Sequence, residues 1–185
     1  FNIVKKLLPP TGWYVAGGSL FDVYGDIDVY FYTSNDFTAA IKALTCHNCE
    51  KRADTSNAST FIYSDKYNTN NFVIHNEPLT IQLIRKTFGP PEQVLSAFDL
   101  NKSCRALFPD GTIYEDPCFH KDLYCRPSQF RHGTLSRIMK YYKLKNQPID
   151  SKQLTSLLVS ILRNPDKTYE NYYNGATELK KITFS

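Results

Sequence analysis

The chain has 185 residues, 42% apolar and 22% charged, with a formal net charge of +4. That balance describes a globular chain and excludes intrinsic disorder, and at this length a core forms without a disulfide or metal staple. No run approaches the ~18 apolar residues of a membrane span, so no membrane partner is expected, and the mild positive charge permits nucleic acid without implying it.

Aromatic residues are abundant, with 13 Tyr and 12 Phe. The cysteines are Cys46, Cys49, Cys104, Cys118 and Cys125, an odd number. An odd count argues against a closed disulfide framework and points to a reducing, cytoplasmic compartment. A chain that begins at Phe1 reads as a trimmed chain, a processed product or part of a larger polypeptide. Its start, FNIVKKLLPP, lacks the length and cleavage site of a secretory signal.

In chain order, Trp13 to Ala16 is a short apolar run ending at Gly17-Gly18, which predicts a strand, a tight turn and a short helix from Ser19 to about Tyr24. Asp26 to Tyr32, DIDVYFY, is rich in β-branched and aromatic residues and predicts a strand. Ser34-Asn35-Asp36 supplies capping residues for a helix through about Leu44. Residues 46–59 are polar and read as irregular. Thr60 to Ser64, Phe72 to His75 and Thr80 to Arg85 predict three short strands. Gly89-Pro90-Pro91-Glu92 stops one element and starts a helix that runs to about Ser96, with Pro91 in its first turn. Ala97 to Phe108 predicts a long strand, Pro109-Asp110-Gly111 a hairpin turn and Thr112 to Tyr114 the return strand. Beyond about residue 117 the pattern turns helical. Thr134 to Lys145 predicts a basic amphipathic helix and Ser151 to Arg163 a second one with a leucine stripe.

The organisation expected is α+β. A small mixed sheet with helices on one side occupies residues 1–115, and a helical extension occupies residues 116–185.

The stretch YVAGGSLFDVYGDIDVYFY carries the chemistry. Gly17, Gly18 and Ser19 lie between strand and helix, where glycines let a phosphate approach the backbone. Asp26 and Asp28 flank Ile27 at strand period, so both carboxylates share one face while Ile27 points to the core. Two such carboxylates repel each other, and a divalent cation, Mg²⁺ or Mn²⁺, resolves the repulsion. Asp99 sits in an otherwise apolar stretch. If its strand neighbours the other two, it completes a three-carboxylate site suited to two cations and in-line nucleotidyl transfer. Arg137 and Lys140 are one helical turn apart and share a face that could meet the triphosphate or the acceptor. Gln82 and Arg85 read as ordinary strand residues. Cys46-His47-Asn48-Cys49 has a zinc-like spacing; the alternative is free thiols.

The GGS element, the DID element and the later FDL aspartate together resemble the DNA polymerase beta-like nucleotidyltransferase superfamily, nearest to the poly(A) polymerase and CCA-adding head pattern. In that pattern an Asp follows the glycine pair, and Asp22 occupies its place. IQLIRKTFGPPEQVLSAFDLNKSCRALFPDG and GTLSRIMKYYKLKNQPID look like segments of uncharacterised nucleotidyltransferase-like proteins of phages and viruses. The resemblance spans residues 12–150 and implies that the helical extension at residues 116–185 closes over the nucleotide. It implies transfer of NMP from an NTP to an acceptor, an RNA 3′ end, a protein side chain or a small molecule, with release of pyrophosphate. It also implies Asp26 and Asp28 as ligands of both metals, Asp99 as ligand of the catalytic metal, and Gly18 and Ser19 against the terminal phosphates. The alternative is a degenerate domain that binds nucleotide or RNA without chemistry.

Overall fold

The structure, a computed structural model, describes residues 1–20, 26–64 and 78–120, together with Thr134, Arg137, Ile138, Ser151, Lys152, Leu154, Thr155 and Val159. The expected strand at Phe72 to His75 lies outside the described residues. The described residues form two compact units. One comprises residues 1–94 and 105–115, the other residues 95–104 and 116–185.

The first unit is built on a seven-stranded mixed sheet. Helix α1 (Asn2–Leu7) precedes β1 (Trp13–Ala16), and β2 (Ile27–Phe31) leads into helix α2 (Ser34–Cys46). β3 (Glu50–Asp54), β4 (Ala58–Tyr63) and β5 (Leu79–Ile84) follow, then helix α3 (Pro91–Ser96), β6 (Arg105–Leu107) and β7 (Ile113–Glu115). The strand order is β3-β4-β5-β2-β1-β6-β7. Every neighbouring pair is antiparallel except β2 and β5, which run parallel with Asp28 opposite Gln82. The chain is therefore α+β, as its pattern predicts.

Alternation along the central strands divides the sheet into two faces. Trp13 and Val15 of β1, Val29 and Phe31 of β2, Phe61 of β4 and Ile81 and Leu83 of β5 enter one core. Val4 and Leu7 of α1, Leu8, and Ala40 and Leu44 of α2 cover that face, so the sheet carries these two helices on one side. The opposite face carries the residues between: Tyr14, Asp28, Tyr30 and Gln82.

Helix α2 starts at a reciprocal capping box. Thr33 Oγ1 accepts from the Asp36 amide at 3.2 Å, and Asp36 Oδ2 accepts from the Thr33 amide at 3.0 Å. The cap is therefore Thr33, one residue before the expected Ser34. The same Asp36 constrains the turn before β1. Gly12 has φ +91°, and a Cβ there would lie 2.5 Å from Asp36 Oδ1, a carboxylate the cap already holds. Gly12→Ala is expected to lower stability by about 1–3 kcal/mol, because it combines a left-handed backbone with a blocked side chain. Urea denaturation checks this; an unchanged midpoint contradicts it.

Three elements depart from the sequence pattern. α1 is a helix at the opening residues, where the sequence pattern predicts no element. β3, EKRAD, is a strand inside a segment that reads as irregular. All its residues are exposed, so no alternation marks it. Arg85 ties this edge strand down, bonding to Asp54 of β3 and Ser59 of β4 while its guanidinium lies 5.0 Å from the centre of the Phe37 ring. The third departure is the expected long strand from Ala97 to Phe108, of which only Arg105–Leu107 is a strand. Before it the chain makes a 3-10 turn, Asn101–Ser103, because the buried Asn101 donates its side-chain amide to the Cys118 carbonyl at 2.9 Å and its own carbonyl accepts from the Cys104 amide at 2.9 Å. The hairpin at Pro109-Asp110-Gly111 forms as predicted, with Gly111 at φ +91°.

Among the described residues no helix is long and apolar enough to cross a membrane. Cys46 is an exposed thiol, and Cys49, Cys104 and Cys118 are buried ones. Thr134, Arg137 and Ile138 are helical, as are Ser151, Lys152, Leu154, Thr155 and Val159.

Candidate functional site

β1 delivers the glycine turn and β2 the carboxylates. Val15 pairs with Val29 across the antiparallel β1/β2 register. Continued by one residue, that register sets Ala16 beside Asp28, so the Gly17-Gly18 turn leaves the sheet at the end where Asp26 and Asp28 lie. Gly17 has φ +90°, a backbone conformation that disfavours a side chain, and Gly18 is exposed. Ser19 follows in a 3-10 turn, Gly18–Leu20. The remainder of the expected helix, with Asp22, lies outside the described residues.

Asp26 and Asp28 fall on the face opposite α1 and α2, as strand period predicts, and Ile27 joins the residues packed against the core. Asp26 is exposed at the strand's entrance and Asp28 is half-buried. Burial first, and then the charge of Asp26, pushes the Asp28 carboxyl from its ordinary 3.8 up to about 7. Two carboxylates are thus held where one is costly to ionise beside the other.

Gln82 is the residue that sequence reasoning left out. Its Cα stands opposite Asp28 in the parallel β2/β5 register, and its Nε2 donates to Asp26 Oδ2 at 2.6 Å. The signal was a single amide inside TIQLI, on the face that alternation keeps out of the core. Further along the same face, Tyr14 stacks on Tyr30 with ring centroids 5.9 Å apart and meets Tyr32 edge-on at 5.6 Å. The Tyr14 hydroxyl donates to the Gly89 carbonyl at 3.0 Å.

Asp99 belongs to the second unit and lies in a bend rather than in a strand. Its carboxylate is buried, with the side chain 10% exposed. Thr134 Oγ1 donates to Asp99 Oδ2 at 2.6 Å, and Arg137 Nη2 bonds the same oxygen. The structure therefore brings Asp26 and Asp28 together, and it brings Asp99 together with Arg137. Lys140 lies outside the described residues. Among the described residues no three His, Cys, Asp or Glu side chains gather to hold a metal, a statement that includes the Cys46-His47-Asn48-Cys49 segment.

A mixed sheet with helices on one face and a carboxylate pair on the other, beside a glycine turn, defines an α+β protein with a polar sheet-face site. The chain belongs to the Gabija anti-defense 2 family, Gad2, whose family model matches residues 3–132. No curated protein matches it. This finding corrects the resemblance drawn from the GGS, DID and FDL elements. The GGS, DID and FDL elements that suggested the polymerase beta-like superfamily all lie within the residues the Gad2 family model takes, and GTLSRIMKYYKLKNQPID lies beyond them. Short glycine and carboxylate elements carry a chemistry, and many families place them at a strand–turn–helix junction.

Proposed function

We propose that the protein is a metal-dependent enzyme that moves NMP from an NTP to an acceptor hydroxyl, with release of pyrophosphate, and that this transfer serves the anti-defense role in its family's name. One observation carries the reading: Asp26 and Asp28 lie side by side on the face opposite α1 and α2, at the end of the sheet where the Gly17-Gly18 turn emerges. The donor set suits Mg²⁺ or Mn²⁺, because two hard carboxylate oxygens, one of them costly to ionise alone, are what a small divalent cation neutralises. Asp26 and Asp28 would hold the cation, with Gln82 fixing the Asp26 carboxylate. Gly17 and Gly18, lacking side chains, would let the phosphates approach the backbone. When bound, the cation would lower the pKa of the acceptor hydroxyl and neutralise charge on the leaving pyrophosphate. The acceptor, whether an RNA 3′ end, a protein side chain or a small molecule, is open on this reading.

A second reading, nucleotide binding without turnover, is favoured by one observation: Arg137 and Thr134 already engage Asp99, the carboxylate that would complete a three-acid site. Pyrophosphate release separates the two. With Mg²⁺, each NTP in turn and candidate acceptors, the native chain is expected to release pyrophosphate, and Asp26→Asn is expected to lose at least 100-fold while its circular dichroism is unchanged. An NTP- and Mg²⁺-dependent thermal shift without pyrophosphate would favour the binding-only reading. Unchanged turnover in Asp26→Asn, or no shift with any NTP, would remove both.

A further inference from the structure

The second unit holds a polar cluster that the carboxylate site does not use. Asp99 and Thr134 are buried, whereas the Arg137 side chain they hold is 43% exposed. Among the described residues the guanidinium is bonded through Nη2 alone, to Asp99 Oδ2 and, at 3.4 Å, to Thr134 Oγ1. A guanidinium is a rigid planar fork. Fixing one of its nitrogens on a buried carboxylate fixes the direction of the other donors, and Nε and Nη1 are left for a second anion. Thr134 and Arg137 are three residues apart and both helical, so they share a side of one turn.

The sequence around this anchor supplies an independent observation. Residues 131–145 contain Arg131, Arg137, Lys140, Lys143 and Lys145 and no carboxylate. An ion pair kept only for stability needs no such surroundings. A cation-rich stretch attracts anions, and a guanidinium aimed by a buried acid gives them a bidentate partner.

We infer that Arg137 is an anion-binding residue presented by the Asp99–Thr134 anchor, and that its ligand is a phosphoryl group of a polyphosphate chain. Asp99 is then a positioning residue that acts through Arg137. This inference stands on the second unit alone, so it survives or fails independently of the carboxylate pair.

The test uses the full chain in EDTA, which removes any contribution from a divalent cation, and inorganic triphosphate as the probe, read by calorimetry. Arg137→Lys keeps the charge and a partner for Asp99 but loses the fork; it is expected to bind at least 10-fold more weakly. Asp99→Asn is expected to weaken binding about 3–10-fold by loosening the anchor. An NTP should bind comparably to triphosphate in EDTA, and the nucleoside should not bind. In the unmodified chain, triphosphate should protect Arg137 from phenylglyoxal, read by mass spectrometry. The inference is overturned if the native chain does not bind triphosphate, if Arg137→Lys or Asp99→Asn binds as the native chain does, if the nucleoside binds as well as the NTP, or if Arg137 is modified equally with and without the anion.

Discussion

Asp28→Asn is expected to raise the melting temperature of the ligand-free protein at pH 8 and to remove a pH dependence that the native protein shows. The native Asp28 carboxyl is pushed from 3.8 to about 7 by burial and by Asp26. Between those values the folded chain holds a proton that the unfolded chain has released, so stability falls as the pH rises through this window. Below about pH 4 the group contributes no difference between the states; above about pH 7 its full cost is present. The shift alone sets an upper bound of about 4 kcal/mol, and water reaching a half-buried side chain reduces the expected gain to about 1–3 kcal/mol, or roughly 3–10 °C for a chain of this size. Asn keeps the shape and a hydrogen-bonding edge but carries no charge to desolvate. Melting curves of both proteins should therefore converge near pH 4 and separate steadily to pH 8. On the metal reading, Mg²⁺ with an NTP should narrow the gap at pH 8 by stabilising the native chain alone. Parallel curves across the pH range would show that Asp28 is not held against its charge, and the argument that a cation is needed to offset that charge would go with it.

The carboxylate pair was legible because it needs only a local rule. Two residues separated by one on a strand share a face whatever the rest of the fold does, and DIDVYFY is unmistakably a strand. Gln82 was not legible as their neighbour, because its contact depends on β2 and β5 lying parallel across a separation of over fifty residues, which no local pattern encodes. β3 was missed for a different reason: an edge strand exposed along its whole length has no apolar alternation to read, and its charges are what an edge needs to stay unpaired. The strand expected through Asp99 failed because apolar composition between Ala97 and Phe108 signals burial, not extension. Buried Asn101 and Ser103 turn the chain there, and the turn bonds to Cys118, far along the sequence. The family name was out of reach of motif reasoning, since glycine turns and paired acids record a chemistry shared by unrelated chains.

The clearest separation between the role the sequence suggests for Asp99 and the one its contacts suggest comes from Arg137→Ala. The Asp99 side chain is 10% exposed, and Arg137 is its charged partner among the described residues. Removing the guanidinium leaves a buried carboxylate with the Thr134 hydroxyl as its partner among the described residues. A fully buried pair broken in this way costs about 3–5 kcal/mol, and the partial exposure of Arg137 brings the expectation to about 1–3 kcal/mol in urea denaturation. Asp99→Asn should cost less, because the freed arginine reaches water and Thr134 keeps a polar neighbour. In the Asp99→Asn background, Arg137→Ala should then cost under about 0.5 kcal/mol, since no buried charge remains to be stranded. That non-additivity is the signature of a pair in which the acid exists to hold the base. Additive single and double variants, with Arg137→Ala nearly silent, would mean that the two residues meet without depending on each other. Asp99 would then owe nothing to Arg137, and the binding-only reading would lose the observation that favours it.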